Sequence, residues 1–447
     1  MFKIALNNFR GFHKQKFVDV RRLTLLVGEN SAGKSSFLAA TKFLMDFTGG
    51  TSLPSFNTGT FQLGTFDQIA HNRGGGAGRA RSFSLSMRFS TSDGKEAKKK
   101  PASENLEAIL DFYSHESQAF VSSIIIKNDE GSFLTKVADN KLSYEFTVKN
   151  GSRYKLNMPD HLSIPTGLDL PFFWASTLMQ IRYFVKNTNE GGQESEVPDK
   201  VVQMVQLICE QAIDRFRHRE GDAEVIAAIR SKPLRTYTPG MEVHDGEGAH
   251  VPVAMAKLSR SRNKNSKDAW NKLKKSIDGF GKDSEMFKEI FVKSFGKSAS
   301  DPFQIQFVSE GPKTNLVDLG YGTSQVIPIL YEVAVGSAED SFLIQQPEVH
   351  LHPRAQAALG EYFIQALKNE DKAFILETHS DFIVDRVRKA VADGVLQPED
   401  VSILFFERKK LENSITQIEL DKNGEPISAP KAYRAFFMGE QMHMLGL

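Results

Sequence analysis

The sequence predicts an α/β fold: a mixed, mostly parallel sheet flanked by helices, with a β-rich N-terminal subdomain and a helical insertion. Three observations carry it. An apolar run at 23–27 passes straight into Gly28-Glu29-Asn30-Ser31-Ala32-Gly33-Lys34-Ser35 and then into an apolar-periodic stretch at 37–44, the order strand, glycine loop, helix. From Phe303 onward, short apolar runs at 305–308, 341–344, 373–376 and 401–406 alternate with helix-period segments at 325–333, 354–367 and 381–390. That alternation is the mark of a parallel sheet covered on both faces. Between these regions, period-two segments give way to apolar spacings of three and four.

In chain order, a strand at 3–6, a turn at 7–12 and a strand at 15–20 precede the glycine loop. After the loop helix, Gly49-Gly50 and the polar stretch through Gly74-Gly75-Gly76 hold few apolar anchors and predict a mobile segment. Phe83, Leu85, Met87 and Phe89 alternate with polar residues, a half-buried strand, and the run 96–101 predicts a solvated loop. Strands at 144–148 and 154–158 flank Asn150-Gly151, which suits the positive φ of a tight hairpin. A helical pattern covers 168–220, where Val201, Val205, Ile208 and Ala212 share a face and Cys209 reads as a small core residue. The segment 415–420 followed by Asn423-Gly424 predicts an edge hairpin. The chain thus divides into an N-terminal lobe at 1–165 with the glycine loop and β subdomain, a helical and basic insertion at 166–300, and a C-terminal lobe at 301–447. Its length suits one composite domain with insertions, or two lobes.

With Lys plus Arg 56 against Asp plus Glu 55, the chain is no polycation, so nucleic-acid contact would need a local patch. The one strong bias sets Lys257, Arg260, Arg262, Lys264, Lys267, Lys272, Lys274 and Lys275 against Asp268 alone. Two readings stand: a solvated helix face and loop, or a surface for DNA or an acidic partner. The single cysteine excludes an intrachain disulfide framework and a Cys-rich zinc site. Residues 1–8 lack a signal peptide's apolar core, and no stretch approaches 18 apolar residues without charges. A cytoplasmic protein with no membrane span is expected.

The glycine loop matches G-x-x-x-x-G-K-[ST], and its chemistry is a phosphate cradle. Gly28 and Gly33 let successive N–H groups turn inward, Lys34 suits the β- and γ-phosphates, and the Ser35 hydroxyl suits Mg²⁺. About 290 residues later, Asp318-Leu319-Gly320-Tyr321-Gly322-Thr323-Ser324-Gln325 opens a helix. An apolar strand then ends in Gln345-Gln346-Pro347-Glu348, followed by Leu351-His352-Pro353, and another ends in Glu377-Thr378-His379-Ser380. Order and spacing resemble the signature helix, Walker B strand, D-loop and H-switch of an ABC-type ATPase head, a P-loop NTPase fold. Phe9-Arg10-Gly11-Phe12 and Asn30 resemble the SMC, RecF and OLD-like branch. The segments 229–237, 345–353 and 377–381 further resemble stand-alone bacterial AAA-type ATPases that accompany a nuclease or other effector in anti-phage systems such as Septu and PARIS.

The resemblance implies roles for particular residues. ATP and Mg²⁺ would be held by Gly33, Lys34, Ser35 and Ser36, with Asn30 near the γ-phosphate or attacking water and Arg10 supporting the nucleotide. Gln68 stands as the Q-loop glutamine and Gln345 as a further neighbour of Mg²⁺. Gly322, Thr323 and Ser324 would face the γ-phosphate of an opposite subunit, so ATP would join a homodimer or a higher homo-oligomer. His379 resembles the switch histidine, and His352 takes the place of the D-loop aspartate. His350 and His352 lack an evident third metal ligand and are expected to shape the dimer seam.

One departure matters. Gln345 and Gln346 occupy both places where a Walker B strand usually ends in acids, and an amide cannot act as a general base near neutral pH. Hydrolysis is therefore expected to be slow, with Glu377 partly replacing the missing acid; the alternative is that Glu377 only bonds the backbone at Ser380 or Asp381. The functions left open are an ATPase gating an effector, such as a nuclease encoded nearby, a non-hydrolysing ATP-dependent scaffold, and a RecF- or SMC-like repair ATPase. A self-contained nuclease fits poorly, because OLD-type nucleases add a Toprim domain and only 68 residues follow His379.

Overall fold

The computed structural model describes residues 2–49, 55–75, 78–90, 105–138, 141–157, 198–217, 221–240, 243–433 and 435–436. A seven-stranded sheet organises the chain, in the order Ala223–Ile226, Ser341–Gln345, Ala373–Glu377, Leu23–Gly28, Val401–Lys409, Glu412–Leu420, Pro426–Ile427. The first five strands are parallel, and the last two add an antiparallel edge. Strand Leu23–Gly28 is therefore flanked on both sides by strands from the C-terminal third of the chain. Its glycine loop emerges at the carboxyl ends of the parallel strands, where α/β sheets place their ligands.

The sheet is buried on both faces, and the period of two shows how. Leu26, Leu343, Ile375 and Leu404 belong to one core, while Leu25, Val27, Phe342, Ile344, Phe374, Leu376, Ile403 and Phe405 belong to the other. On the first side, helix Lys34–Gly49 buries Phe37, Leu38, Phe43 and Leu44 against an eight-stranded antiparallel sheet built from the N-terminal half of the chain. On the second side lie helices Val251–Arg260, Lys264–Ser284, Tyr321–Val335, Pro353–Asn369 and Asp381–Ala392. No helix among the described residues is long and apolar enough to cross a membrane.

Three expectations are corrected. The segment after the loop helix is anchored at its described residues: Phe56, Phe61, Leu63, Phe66 and Ile69 are buried, and Phe56 stacks on Phe43 at 4.2 Å. Few apolar residues suffice there because each aromatic buries a large area. Strand Phe303–Val308 is not part of the parallel sheet but pairs antiparallel with Glu289–Ser294 in a small sheet of its own. The β subdomain also contains Asn105–His115, Gln118–Lys127 and Gly131–Ala138, which the sequence reading did not pick out. The predicted hairpin at Asn150-Gly151 is present, with Gly151 at φ +87°. Of the expected helical stretch at 168–220, helix Asp199–Arg217 is observed; the solvated loop expected at 96–101 and residues 168–197 lie outside the described residues.

Candidate functional site

Gly28 and Gly33 adopt φ of +130° and +98°. A Cβ at Gly28 would sit 2.2 Å from the Phe406 carbonyl oxygen, and one at Gly33 would meet Asn413 and the Phe12 ring at 2.6 and 2.7 Å. Both positions exclude a side chain by conformation and by space. Lys34 is buried and its Nζ donates to the carbonyls of Gly28 and Glu29 at 2.9 and 2.8 Å, closing the loop on itself. Burial pulls Lys34 below the usual lysine range, against the charges of Glu377, Glu348 and Glu29. Asn30 is exposed on the loop, while Ser36 is half-buried at the helix start.

Ser35 shows where the acid is. Its Oγ donates to the Glu377 carboxylate, with the two oxygens at 3.0 and 2.9 Å. Glu377 ends its strand in register with Gln345 on one side and Leu26 on the other. It is buried, which raises its pKa, while hydrogen bonds from Ser35 and Gln345 and the charge of Lys34 favour the carboxylate. Gln346 follows in a left-handed conformation, φ +42°, with its N–H donating to the Glu377 carbonyl at 2.7 Å.

The acid that holds the next turn is Glu348, not Glu377. Its two oxygens accept from the His379 N–H at 2.7 Å and from the Thr378 hydroxyl at 2.8 Å. His379 is thereby fixed near Lys34, and burial together with that positive charge lowers its pKa to about 4, leaving the ring neutral near pH 7. Protonation then links to stability. Between pH 6.5 and about 4 the unfolded chain takes up a proton on His379 that the folded chain refuses, so stability falls as pH falls through that window. His379→Gln is expected to flatten this part of a urea-midpoint against pH curve; an unchanged slope would refute the assignment.

Gln68 and Arg10, both expected near the nucleotide, partner one another. Gln68 Oε1 accepts from the Thr65 N–H at 2.8 Å as a helix cap, and its carbonyl accepts from Arg10 Nη1 at 2.9 Å. The Gln68 side-chain oxygen is thus engaged in capping its own helix, and Arg10 is tied to that same turn. The signature-type turn also differs from expectation. Gly322 is packed against His350, whose carbonyl oxygen a Cβ would meet at 2.3 Å. Thr323 and Ser324 are only 3% and 5% exposed, and Ser324 Oγ donates to the Tyr321 carbonyl at 2.7 Å. Both residues are buried; what stands at the surface is Gly320 and Tyr321, the latter edge-on to His350. His352 caps helix Pro353–Asn369, its Nδ1 accepting from the Ala355 N–H at 3.3 Å.

A model of the AAA ATPase domain family (AAA_15) matches residues 1–384. The chain belongs to that family. Among solved structures it is similar to an SMC head bound to the C-winged helix domain of ScpA, at 11% identity and a TM-score of 0.46, over 94% of this chain and 98% of that one. It is also similar to an SMC head with an extended coiled coil bound to the C-terminal domain of ScpA from Pyrococcus furiosus, at 9% identity and 0.44, over 99% and 100%. The SMC head domain from Thermotoga maritima follows at 10% and 0.36, over 94% and 98%. No curated protein matches.

For an AAA ATPase domain, the oxygen donors Ser35 Oγ, the Glu377 carboxylate and the Gln345 amide suit Mg²⁺, a hard cation. Sequence reasoning missed two contributors to this site. Arg230, 1% exposed, donates through Nη2 to the carbonyls of Gln345 and Gln346 at 2.9 and 3.2 Å. Burial lowers its pKa to about 10, with Glu348 opposing. Asn413 packs its amide against Gly11 and Gly33 from the 401–420 hairpin. In the basic segment, Lys272 pairs with Glu370, Lys274 with Asp278 and Glu289, and Arg260 donates to the carbonyls of Ala299 and Asp301. Lys257, Arg262, Lys264, Lys267 and Lys275 are exposed.

Proposed function

We propose that this ATPase domain binds Mg-ATP in the 28–35 loop and hydrolyses it slowly, with Glu377 as the acid that serves Ser35 and the attacking water. The contact between Ser35 Oγ and the Glu377 carboxylate carries this reading. Ser35, Glu377 and Gln345 would hold Mg²⁺, which when bound neutralises charge on the phosphate oxygens. Lys34 supplies positive charge to the β- and γ-phosphates once ATP displaces the carbonyls it now bonds. Neutral His379 donates or accepts one hydrogen bond at the γ-phosphate end.

Phosphate release by the purified chain should exceed that of Lys34→Ala at saturating ATP. If ATP protects the fold against urea yet no phosphate appears, the chain is an ATP-dependent scaffold instead, a reading that Gln345 and Gln346 favour. In the assembly we propose, two copies close head to head around ATP in the cytoplasm and gate an effector nuclease encoded beside this gene, in an anti-phage system. The motifs at 229–237, 345–353 and 377–381 support that context. The mate would approach through the exposed Gly320-Tyr321 end of helix Tyr321–Val335, offering backbone N–H groups rather than the Thr323 and Ser324 hydroxyls. The exposed lysines and arginines at 257–275 leave room for a DNA contact. Light scattering with and without ATP reads the assembly, and a monomer at saturating ATP counts against it.

A further inference from the structure

Away from the glycine loop, two histidines and two carboxylates converge from three separate elements. His250 Nε2 lies 2.8 Å from Glu332 Oε1, and His244 Nε2 lies 3.4 Å from the same oxygen. Glu224 Oε2 approaches His244 Nε2 at 3.7 Å. Glu224 comes from edge strand Ala223–Ile226, the histidines from the 243–250 segment, and Glu332 from the last turns of helix Tyr321–Val335. One donor atom from each of His244, His250 and Glu332 falls within 4.8 Å of the others. Donors on a tetrahedral zinc ion, at bonds of about 2.0–2.1 Å, stand about 3.3 Å apart, close to the separations of the two histidines from Glu332.

We propose that His244, His250 and Glu332, with water as fourth donor, form a site for a divalent cation of the zinc class, distinct from the Mg-ATP site. Two imidazoles select zinc-like metals over magnesium and calcium, which prefer all-oxygen shells. The histidine segment is also held in place before any metal arrives. Asp245 Oδ1 accepts from the N–H groups of Gly248 and Ala249 at 2.7 and 3.2 Å, and lies 3.9 Å from His250 Nδ1, the nitrogen turned away from Glu332. Gly246 packs so tightly that a Cβ would sit 2.1 Å from Thr60 Oγ1, and Gly248 holds φ +75°. A metal here would tie the helix that begins at Gly320-Tyr321 to the 243–250 segment.

The test uses the full chain, stripped with a chelator and titrated with Zn²⁺ against a chromophoric competitor. One zinc per chain is expected, with His244→Ala weakening it at least about 100-fold and Glu332→Gln at least tenfold. His244 is half-exposed, so its variant should keep the metal-free urea midpoint. Zinc should raise that midpoint in the parent chain and not in His244→Ala, and Co²⁺ should give the visible absorption of a four-coordinate site in the parent alone. Failure to bind stoichiometric zinc, or equal binding by both variants, overturns the proposal. His352→Ala, which alters the other histidine pair, should bind zinc as the parent does; a loss there would move the site to 350–352 and equally overturn it.

Discussion

Glu377→Gln is expected to lower ATP hydrolysis by about 100-fold while leaving ATP binding within a few-fold of the parent. The size of the effect follows from what else is in the site. Gln345 and Gln346 carry no charge and no basic oxygen pair, so neither can take over from a lost carboxylate. Glu348 is the only other acid on these two strand ends, and both its oxygens are committed to Thr378 and His379. Among the described residues, Glu377 is the one acid bonded to Ser35, so removing its charge leaves that hydroxyl without a carboxylate partner. Gln keeps the shape and an acceptor for the Ser35 hydroxyl, so the fold and the cradle should survive. Single-turnover phosphate release at saturating ATP, with nucleotide binding measured separately, makes the distinction. A rate within twofold of the parent would show that Glu377 only positions Ser35.

The cradle was legible in the sequence because it is local: strand, glycine pair and helix are contiguous, and each glycine answers a steric demand that a pattern can express. Glu377 was legible for a related reason, since two apolar runs ending in Gln345 and Glu377 point to neighbouring strand ends. What remained hidden depends on side-chain destination. Nothing in the sequence says that the Gln68 side-chain oxygen turns back to cap its own helix, or that Thr323 and Ser324 are buried while Tyr321 stands outside. Strands 105–115, 118–127 and 131–138 form the middle of an antiparallel sheet, where serines, lysines and acids interrupt the apolar alternation. The His244, His250 and Glu332 cluster joins residues from a loop and a distant helix. Arg230 lies in an irregular segment with no periodicity, although its burial makes it one of the more consequential cations in the chain.

Arg230→Met should cost about 3–5 kcal/mol of stability, read as a lowered urea midpoint at unchanged slope. The guanidinium is buried between the end of the 341–345 strand and Glu348, and its Nε and Nη1 have no hydrogen-bond partner among the described residues. Methionine would fill much of the volume but leave the Gln345 and Gln346 carbonyls without their shared donor and Glu348 without one of the positive charges that offset its burial. Loss of the donor has a second consequence, because Gln346 sits in a left-handed conformation that the bond to its carbonyl helps to hold. Hydrolysis should therefore fall with little change in ATP affinity. Arg230→Lys keeps the charge but not the planar fork that reaches two carbonyls, so it should recover only part of the loss. The double variant Arg230→Met with Glu348→Gln removes the stranded charge as well. It should be less destabilised than the sum of the two single changes, whereas strict additivity would mean that the two groups do not interact.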